Sequence, residues 1–307
     1  MDLIIKPTKS TNYRIKICVN FIVNNKLIDS YNDQITDGTL LNSINNFITI
    51  LKEANANNDI MYGQFQKSNN SDKYGLIIYV KKDYSTQQIN KIYQKLEQDK
   101  DLCVFGYSIV NSNKNTVKYL TEGTRITNKY YDFYWLVSIT GFIQAHPDIS
   151  NIIHRIVDEW IKKDTKYFGL GGETAVYIKK NKNKCENICL TDSEAIYNDC
   201  VNNAGSDITC FHVDYKSVKL IDYVKNSEEY TLIVNIGRNG LTDLTKQIIN
   251  MEFRQIIYVG CCDDAVMKDI NNLSEKYEVK QRKILKQFPE TEYFSYVIEF
   301  QYFDMKH

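Results

Sequence analysis

The second half of the chain alternates short apolar strands with amphipathic helices. From about residue 148, the pattern predicts helices over 148–161, 193–203, 241–250 and 263–277, and strands over 167–172, 208–213, 230–235 and 255–259. Strands separated by helices pair in parallel, so we expect a mostly parallel, doubly wound sheet. Residues 277–285 and 293–302 have no helix between them and predict an antiparallel edge. A sheet of this kind holds nucleotide-like ligands beyond the carboxyl ends of its strands.

The first part of the chain mixes strands and helices in another way. Residues 13–23 and 74–80 have strand patterns, whereas 40–52 and 85–96 have helical spacing, the latter beginning at the N-cap candidate Ser85. A sheet with two helices on one face is the simplest arrangement. We therefore predict two domains, a mixed α/β domain over 1–125 and a Rossmann-like domain over 126–307. The lysine run 179–184 is expected to be a solvated loop.

Composition excludes several classes of protein. Of 307 residues, 43% are hydrophobic and 25% are charged, as in globular proteins, and the net charge is zero. No apolar run is long enough for a membrane span, and we expect neither a signal peptide nor membrane association. The eight cysteines match no zinc or iron–sulfur spacing, so we expect no metal, no disulfide framework and a reducing, cytoplasmic compartment. The many Asn, Lys, Ile and Tyr residues are typical of an AT-rich genome, such as that of a large DNA virus.

One cysteine follows a predicted strand directly. The apolar run 256–260 ends at Cys261, and a thiol at the carboxyl end of a strand is placed for nucleophilic chemistry. Cys262 and Cys210 are interpreted as packing residues, because an isolated cysteine is more often structural.

Six segments in order resemble the tRNA (uracil-5-)-methyltransferase family. Asn12–Lys16 resembles its Tyr-Arg-x-Arg/Lys strand, and Gly141–Pro147 resembles Phe-x-Gln-x-Asn with His146 in place of the Asn. Tyr167–Gly171 resembles Tyr-Cys-Gly-x-Gly, and Val234–Leu241 resembles Val-Asp-Pro-Pro-Arg-x-Gly-Leu. Tyr258–Asp263 and Gln287–Thr291 resemble Tyr-x-Ser-Cys-Asn-Pro and Gln-Phe-Pro-x-Thr.

The resemblance implies a fold, a cofactor and a reaction. The fold would be the Rossmann-like sheet of class I methyltransferases. The methyl donor would be S-adenosylmethionine, and the substrate would be RNA, with tRNA the expected one. The domain over 1–125 would bind this RNA. Cys261 would add to uracil C6 so that C5 can accept the methyl group. The matching motifs also imply which residues contact the ligands. The cofactor would be contacted by Gln144, Gly169, Gly171 and Asn235, and the RNA substrate by Arg238, Tyr13 and Arg14.

Several motif positions depart from the family pattern, and three of them concern groups that the family's chemistry or cofactor binding uses. The glutamate that removes the C5 proton falls on Ser295, which is no base unaided, while Glu290, Glu292 and Glu299 stand at other spacings. The aspartate of the Asp-Pro-Pro loop is Asn235. The acidic residue expected to bind the cofactor ribose aligns with Leu190, and Asp192 replaces it if the loop is two residues shorter.

These departures leave two hypotheses. The chain is either a uracil-C5 RNA methyltransferase or a catalytically inactive descendant retained to bind RNA or a protein partner. The aromatic residues of 130–135 either stack on RNA bases or fill a sheet core, and we favour the core. His146 offers an N–H where the family has an amide, yet it equally suits a helix entry. His154, on the predicted helix 148–161, is expected at the surface or in the core.

Overall fold

A computed structural model describes most of the chain. It describes residues 4–5, 14–18, 38–54, 56, 59–110, 116–144, 147–163, 165–181, 186–286 and 294–303, with the backbone alone in the first two ranges. The strands in chain order are β1 (Ile4–Ile5), β2 (Arg14–Cys18), β3 (Ile60–Lys67), β4 (Tyr74–Val80), β5 (Leu102–Ile109), β6 (Val117–Tyr119), β7 (Arg125–Tyr130), β8 (Phe133–Ser138), β9 (Lys166–Leu170), β10 (Ile188–Thr191), β11 (Thr209–His212), β12 (Tyr230–Asn235), β13 (Gln255–Gly260), β14 (Tyr277–Leu285) and β15 (Ser295–Tyr302).

The helices follow the same order. They are α1 (Gly38–Glu53), α2 (Thr86–Leu96), α3 (Pro147–Trp160), α4 (Thr174–Asn181), α5 (Glu194–Ala204), α6 (Leu244–Met251) and α7 (Asp263–Leu273), with short 3₁₀ turns at Leu220–Asp222 and Ser227–Glu229. The chain divides into two compact units. The N-terminal unit comprises Lys9–Thr140 and Gln144–Pro147, and the C-terminal unit comprises Met1–Thr8, Gly141–Ile143 and Asp148–His307.

The N-terminal unit contains a five-stranded sheet in the order β2-β3-β4-β5-β6. Helices α1 and α2 pack on one face, where their apolar stripes join those of the strands in a single core. Ser85 caps α2 in a capping box with Gln88, as the sequence indicates. The β7–β8 hairpin supplies Ile126 to the other face, where it packs with Ile77 and Val104. Residues 126–140 therefore cluster with the N-terminal unit, past the boundary that we placed at residue 125.

The C-terminal unit contains an eight-stranded sheet in the order β1-β14-β15-β13-β12-β9-β10-β11. Strands β13, β12, β9, β10 and β11 run parallel, whereas β15 pairs antiparallel with both β13 and β14. The predicted α/β fold class, a mostly parallel sheet with an antiparallel C-terminal edge, is confirmed. The β12 and β13 strands are buried along their whole length, as expected for strands covered on both faces.

Several local expectations need correction. The lysine run 179–184 is not wholly a loop, because Lys179 to Asn181 form the last turn of α4, where basic side chains suit the helix dipole. Cys210 is not a packing residue, because it is disulfide-bonded to Cys200 and ties β11 to α5. The aromatic residues of 130–135 do not all lie in the core: Tyr130 and Trp135 are buried, whereas Tyr134 is 61% exposed. Within the described residues, no helix combines the length and apolarity that a membrane span requires.

Candidate functional site

A cavity of about 450 Å³ lies at the carboxyl ends of the parallel strands in the C-terminal unit. Strand β9 is flanked by β12 on one side and β10 on the other, so the chain order of the sheet reverses there. Ligands in open α/β sheets bind at this switch point. The lining comes from the segments after β9, β10, β11 and β12, together with Phe142 and Ile196.

The glycines after β9 form one wall and have separate roles. Gly169 lies inside β9, and a Cβ there would meet Thr174 Oγ1 at 2.7 Å, so this glycine allows α4 to pack on the strand. Gly171 and Gly172 line the cavity with φ of +75° and +39°, a region that favours glycine. A Cβ on Gly172 would lie 2.5 Å from Asn235 Cγ, so the bare backbone is needed for this close approach. Behind this wall, Glu173 is buried in contact with the core residue His154, 3.3 Å from its Nε2.

The acidic group beside β10 is Asp192 rather than an acid at position 190. Leu190 is fully buried in the core of the unit, and only its backbone carbonyl is used, accepting from the Gly171 N–H (2.8 Å) and the Tyr215 hydroxyl (2.9 Å). Asp192 lies two residues further on, past the strand end, and lines the cavity. Ser193 caps α5 by accepting from the Ile196 N–H, which fixes the turn that carries Asp192.

A second acidic residue lines the cavity after β11. Asp214 accepts hydrogen bonds from the Lys216 N–H (3.0 Å) and the Ser217 hydroxyl (3.2 Å), which hold its turn in place. Next to it, burial strongly raises the pKa of the Tyr215 hydroxyl, which therefore stays protonated as a donor. We missed Asp214 and Tyr215 in the sequence, although an acid directly after the predicted strand 208–213 is a usable signal.

Asn235 closes the cavity at the end of β12. Its side chain is buried, and its Nδ2 has no hydrogen-bond partner among the described residues. An unpaired buried N–H group costs free energy until it meets an acceptor. The Asn235 amide is thus available to a ligand in the cavity.

Cys261 and Arg238 lie together beside this cavity. The two residues follow the adjacent parallel strands β13 and β12, in which Asn235 pairs with Val259. Burial raises the pKa of the Cys261 thiol, whereas the charge and hydrogen bond of the Arg238 guanidinium lower it. The sequence proposed both residues separately, and the register of two strands brings them into contact.

A buried carboxylate anchors the loop that carries Arg238. Asp269 on α7 accepts from the Leu241 N–H and from the Tyr258 hydroxyl, both at 2.8 Å. A Cβ on Gly240 would lie 2.6 Å from Asp269 Oδ2, so the loop turns there on a glycine with φ of +68°. This anchor was not predicted, because it joins three segments that are distant in the sequence.

Ser295 lies at the start of β15, across from the end of β13. The antiparallel register ends at the pair Gly260–Tyr296, and Cys261 and Ser295 are the chain neighbours of these two residues. Ser295 is only 1% exposed and is not among the residues that line the cavity. Glu299 lies four residues further along β15, about 13 Å at strand rise, and its two oxygens accept from Gln255 and Gln281.

The remaining predicted residues are located as follows. Gln144 is buried and clusters with the N-terminal unit, whereas the cavity lining comes from the C-terminal unit. Arg14 lies in β2, of which the structure describes the backbone alone. Tyr13, His146, Thr291, Glu290 and Glu292 lie outside the described residues. No group of His, Cys, Asp and Glu in the described part of the chain could hold a metal ion.

Comparison with known families gives a match in the C-terminal unit. The model of the family "tRNA (Uracil-5-)-methyltransferase" matches residues 181–299. That span includes Asp192, Asn235, Arg238, Cys261 and Ser295.

Two curated relatives match over longer stretches. A 23S rRNA (uracil(747)-C(5))-methyltransferase of Shewanella pealeana is 23% identical over 195 residues, which is 59% of this chain and 49% of the relative. A tRNA/tmRNA (uracil-C(5))-methyltransferase of Aliarcobacter butzleri is 23% identical over 249 residues, 73% of this chain and 64% of the relative. The chain thus spans about half to two thirds of the length of these relatives.

A solved structure shares the fold over nearly the whole chain. The Pyrococcus abyssi tRNA (uracil-54, C5)-methyltransferase in complex with S-adenosyl-L-homocysteine aligns with a TM-score of 0.72 at 15% identity. The alignment covers 97% of this chain and 78% of that one.

Proposed function

The chain belongs to the tRNA (uracil-5-)-methyltransferase family, and we propose that it transfers a methyl group from S-adenosylmethionine to C5 of uracil in RNA, with tRNA as the substrate. One observation carries the proposal. A thiol and a guanidinium lie in contact at the carboxyl edge of a parallel sheet, beside a cavity at its switch point.

The cavity suits the proposed methyl donor. Its glycine wall leaves room for close backbone approach, and a side chain on Gly172 would close that room. Asp192 would accept hydrogen bonds from the ribose diol, and the Asn235 amide would donate to the ligand. S-adenosylmethionine, when bound, supplies a methyl group made electrophilic by its sulfonium.

Cys261 would supply the nucleophile. The thiolate sulfur bonds to uracil C6, and the electron pair of the C5–C6 bond moves into the ring and makes C5 nucleophilic. Arg238 favours the thiolate because its positive charge lies beside the sulfur. After C5 has gained the methyl carbon, its proton must pass to a base before the C6–sulfur bond breaks and the thiolate is regenerated.

The proton-accepting position favours a second candidate function. Ser295 occupies the place of the family's glutamate, and Asn235 replaces an aspartate. Glu299, four residues further along β15, accepts hydrogen bonds from two glutamine side chains. The second proposal is therefore a catalytically inactive protein that keeps the methyltransferase fold to bind RNA or a protein partner.

Calorimetry with S-adenosylhomocysteine tests the cofactor site. We expect binding by the wild type and a loss of about 100-fold or more for Asp192→Ala, since each charge-assisted hydrogen bond to the diol contributes roughly 1.5–3 kcal/mol. Asp222→Ala is the matched control, because Asp222 is exposed and does not line the cavity. Absence of binding by the wild type would contradict the methyltransferase proposal, and equal affinity in both variants would contradict the role of Asp192.

Methyl transfer to RNA then separates the two candidate functions. With tritiated S-adenosylmethionine and tRNA, the enzyme proposal expects label in 5-methyluridine or in a protein–RNA adduct. Binding of both ligands without either species supports the inactive protein.

A further inference from the structure

We propose that the outer face of the β7–β8 hairpin is a docking surface for single-stranded RNA. The inference rests on the proposed function for its choice of RNA, and its evidence lies wholly within the N-terminal unit. We call this surface the hairpin face. Its outward positions are Arg125, Thr127 and Lys129 on β7 and Tyr134 and Leu136 on β8.

The hairpin has a buried face and an exposed face. Ile126, Tyr130, Trp135 and Val137 point inward and are buried. The alternation of a strand sends the intervening residues outward. Tyr134 is 61% exposed and Leu136 is 42% exposed, and both stand on the hairpin face.

Strand register sets cations beside these apolar side chains. Lys129 pairs with Tyr134, and Thr127 pairs with Leu136. Side chains that are directly opposite in an antiparallel pair lie about 5 Å apart at Cβ. None of the five outward residues is acidic, whereas two are basic. The hairpin face therefore offers an aromatic ring and positive charge together.

Hydrogen bonds attach the hairpin to the residues that directly follow β3. The Asn69 side chain accepts from the Lys129 N–H (2.7 Å) and donates to the Lys129 carbonyl (2.9 Å). The Ser68 hydroxyl donates to the Thr127 carbonyl at 2.6 Å, and the buried Asn128 side chain accepts from the Asn69 N–H. A surface fixed before binding loses little entropy when it meets its partner.

This chemistry fits unpaired RNA better than a protein surface. Bases of single-stranded RNA stack on aromatic side chains, and phosphates pair with Lys and Arg. A face with cations and no carboxylate complements a polyanion. The same face would leave its cations unpaired against an apolar protein patch.

Fluorescence anisotropy with a labelled oligouridine tests the hairpin face. We expect the double variant Tyr134→Ser, Leu136→Ser to weaken binding by about tenfold, which corresponds to the loss of one stacked base. Lys129→Ala should lower the slope of log affinity against log salt by about 0.7, the value for one phosphate contact on a single strand. Two exposed residues serve as controls, Val201→Ser on α5 and Lys91→Ala on α2, and should leave affinity and slope unchanged.

Binding of S-adenosylhomocysteine, measured on the same variants, separates this inference from the proposed function. Unchanged cofactor binding with weakened RNA binding supports the hairpin face. Oligouridine affinity that is unchanged in the double variant, or equally reduced by the controls, overturns it, as does a wild type that binds no RNA. If sedimentation shows a dimer that the double variant abolishes, the face is a contact between copies and the inference also fails.

Discussion

The Arg238 guanidinium opposes the effect of burial on the Cys261 thiol. Burial is the main cause that raises the pKa of that thiol, and Arg238 lowers it through its charge and a hydrogen bond. The thiolate is the reactive form, so the contact with Arg238 favours the nucleophile against the effect of burial.

Removing the guanidinium should therefore slow alkylation of Cys261. In a Cys262→Ser background, which removes the adjacent thiol, we expect Arg238→Gln to move the pH profile of iodoacetamide labelling to higher pH. Arg238→Lys should restore part of the shift, because a cation remains. Peptide mass spectrometry gives the rate at Cys261 alone. Identical profiles for Arg238→Gln and its parent would show that the contact does not stabilise the thiolate.

Residue identity alone could not decide between Leu190 and Asp192. Motif alignment fixed the region, but the answer depends on where β10 ends, and strand ends are set by pairing across the sheet. The Gly171 N–H and the Tyr215 hydroxyl both bind the Leu190 carbonyl, which holds that residue in the core. The contact of Cys261 with Arg238 likewise depends on the register of two strands that are separated by a helix.

At the scale of elements, α7 and the loop after β12 are joined by one carboxylate. Asp269 lies on the helix, and Leu241 closes the loop that carries Arg238. Burial is the main cause that raises the pKa of Asp269, although its two hydrogen bonds lower it. Because the folded-state pKa is raised, the associated stabilisation is present at low pH and is lost as pH rises through that pKa.

Two substitutions separate the charge of Asp269 from its hydrogen bonds. Asp269→Asn keeps an acceptor and removes the buried charge, so its free energy of unfolding should equal or exceed the wild-type value at pH 7. Asp269→Ala leaves the Tyr258 hydroxyl and the Leu241 N–H unpaired and should cost about 1–3 kcal/mol for each group. Urea denaturation between about pH 5 and pH 8 measures the free energy of unfolding of both variants. An Asn variant as unstable as the Ala variant would show that the charge itself holds the loop.

The elements themselves were largely predictable. Period-2 and period-3.6 patterns located β4, β12 and α2 to within a residue or two, because these elements carry continuous or strictly spaced apolar positions. Helix α4 was missed because its last turn is Lys179, Lys180 and Asn181, which in sequence resembles a solvated loop. The tie between α5 and β11 through Cys200 and Cys210 was also missed, since a disulfide depends on two elements meeting in the fold.

At the scale of the whole molecule, the two units differ in the elements that cover their sheets. The C-terminal unit is built on one eight-stranded sheet, and its mostly parallel pairing, though not its strand order, was implied by the alternation of strands and helices. The N-terminal unit closes one side of its sheet with two helices and the other with a hairpin. That hairpin packs on its sheet through Ile126, so the N-terminal unit extends past residue 125, where we had placed the boundary.

The complete reaction should stall if the nucleophile is kept and the base is lost. A serine hydroxyl is far too weak a base at neutral pH to accept the C5 proton, so elimination of Cys261 would fail after methyl transfer. We expect incubation with tRNA and S-adenosylmethionine to leave a covalent protein–RNA adduct, visible as a shifted band on a denaturing gel. Cys261→Ala should abolish the band, and Cys262→Ser, one residue away, should preserve it.

Restoring the carboxylate should release the stalled species. Ser295→Glu places an acid next to the Gly260–Tyr296 pair that precedes Cys261, and we expect the adduct to give way to turnover with free 5-methyluridine. Because Ser295 is 1% exposed, S-adenosylhomocysteine binding by this variant must first show that the site is intact. Many turnovers by the wild type would contradict the stall and require a substitute base, for which Glu292 is the nearest in sequence. A wild type that gives neither adduct nor product, while binding both ligands, would instead favour a protein that keeps the fold without the chemistry.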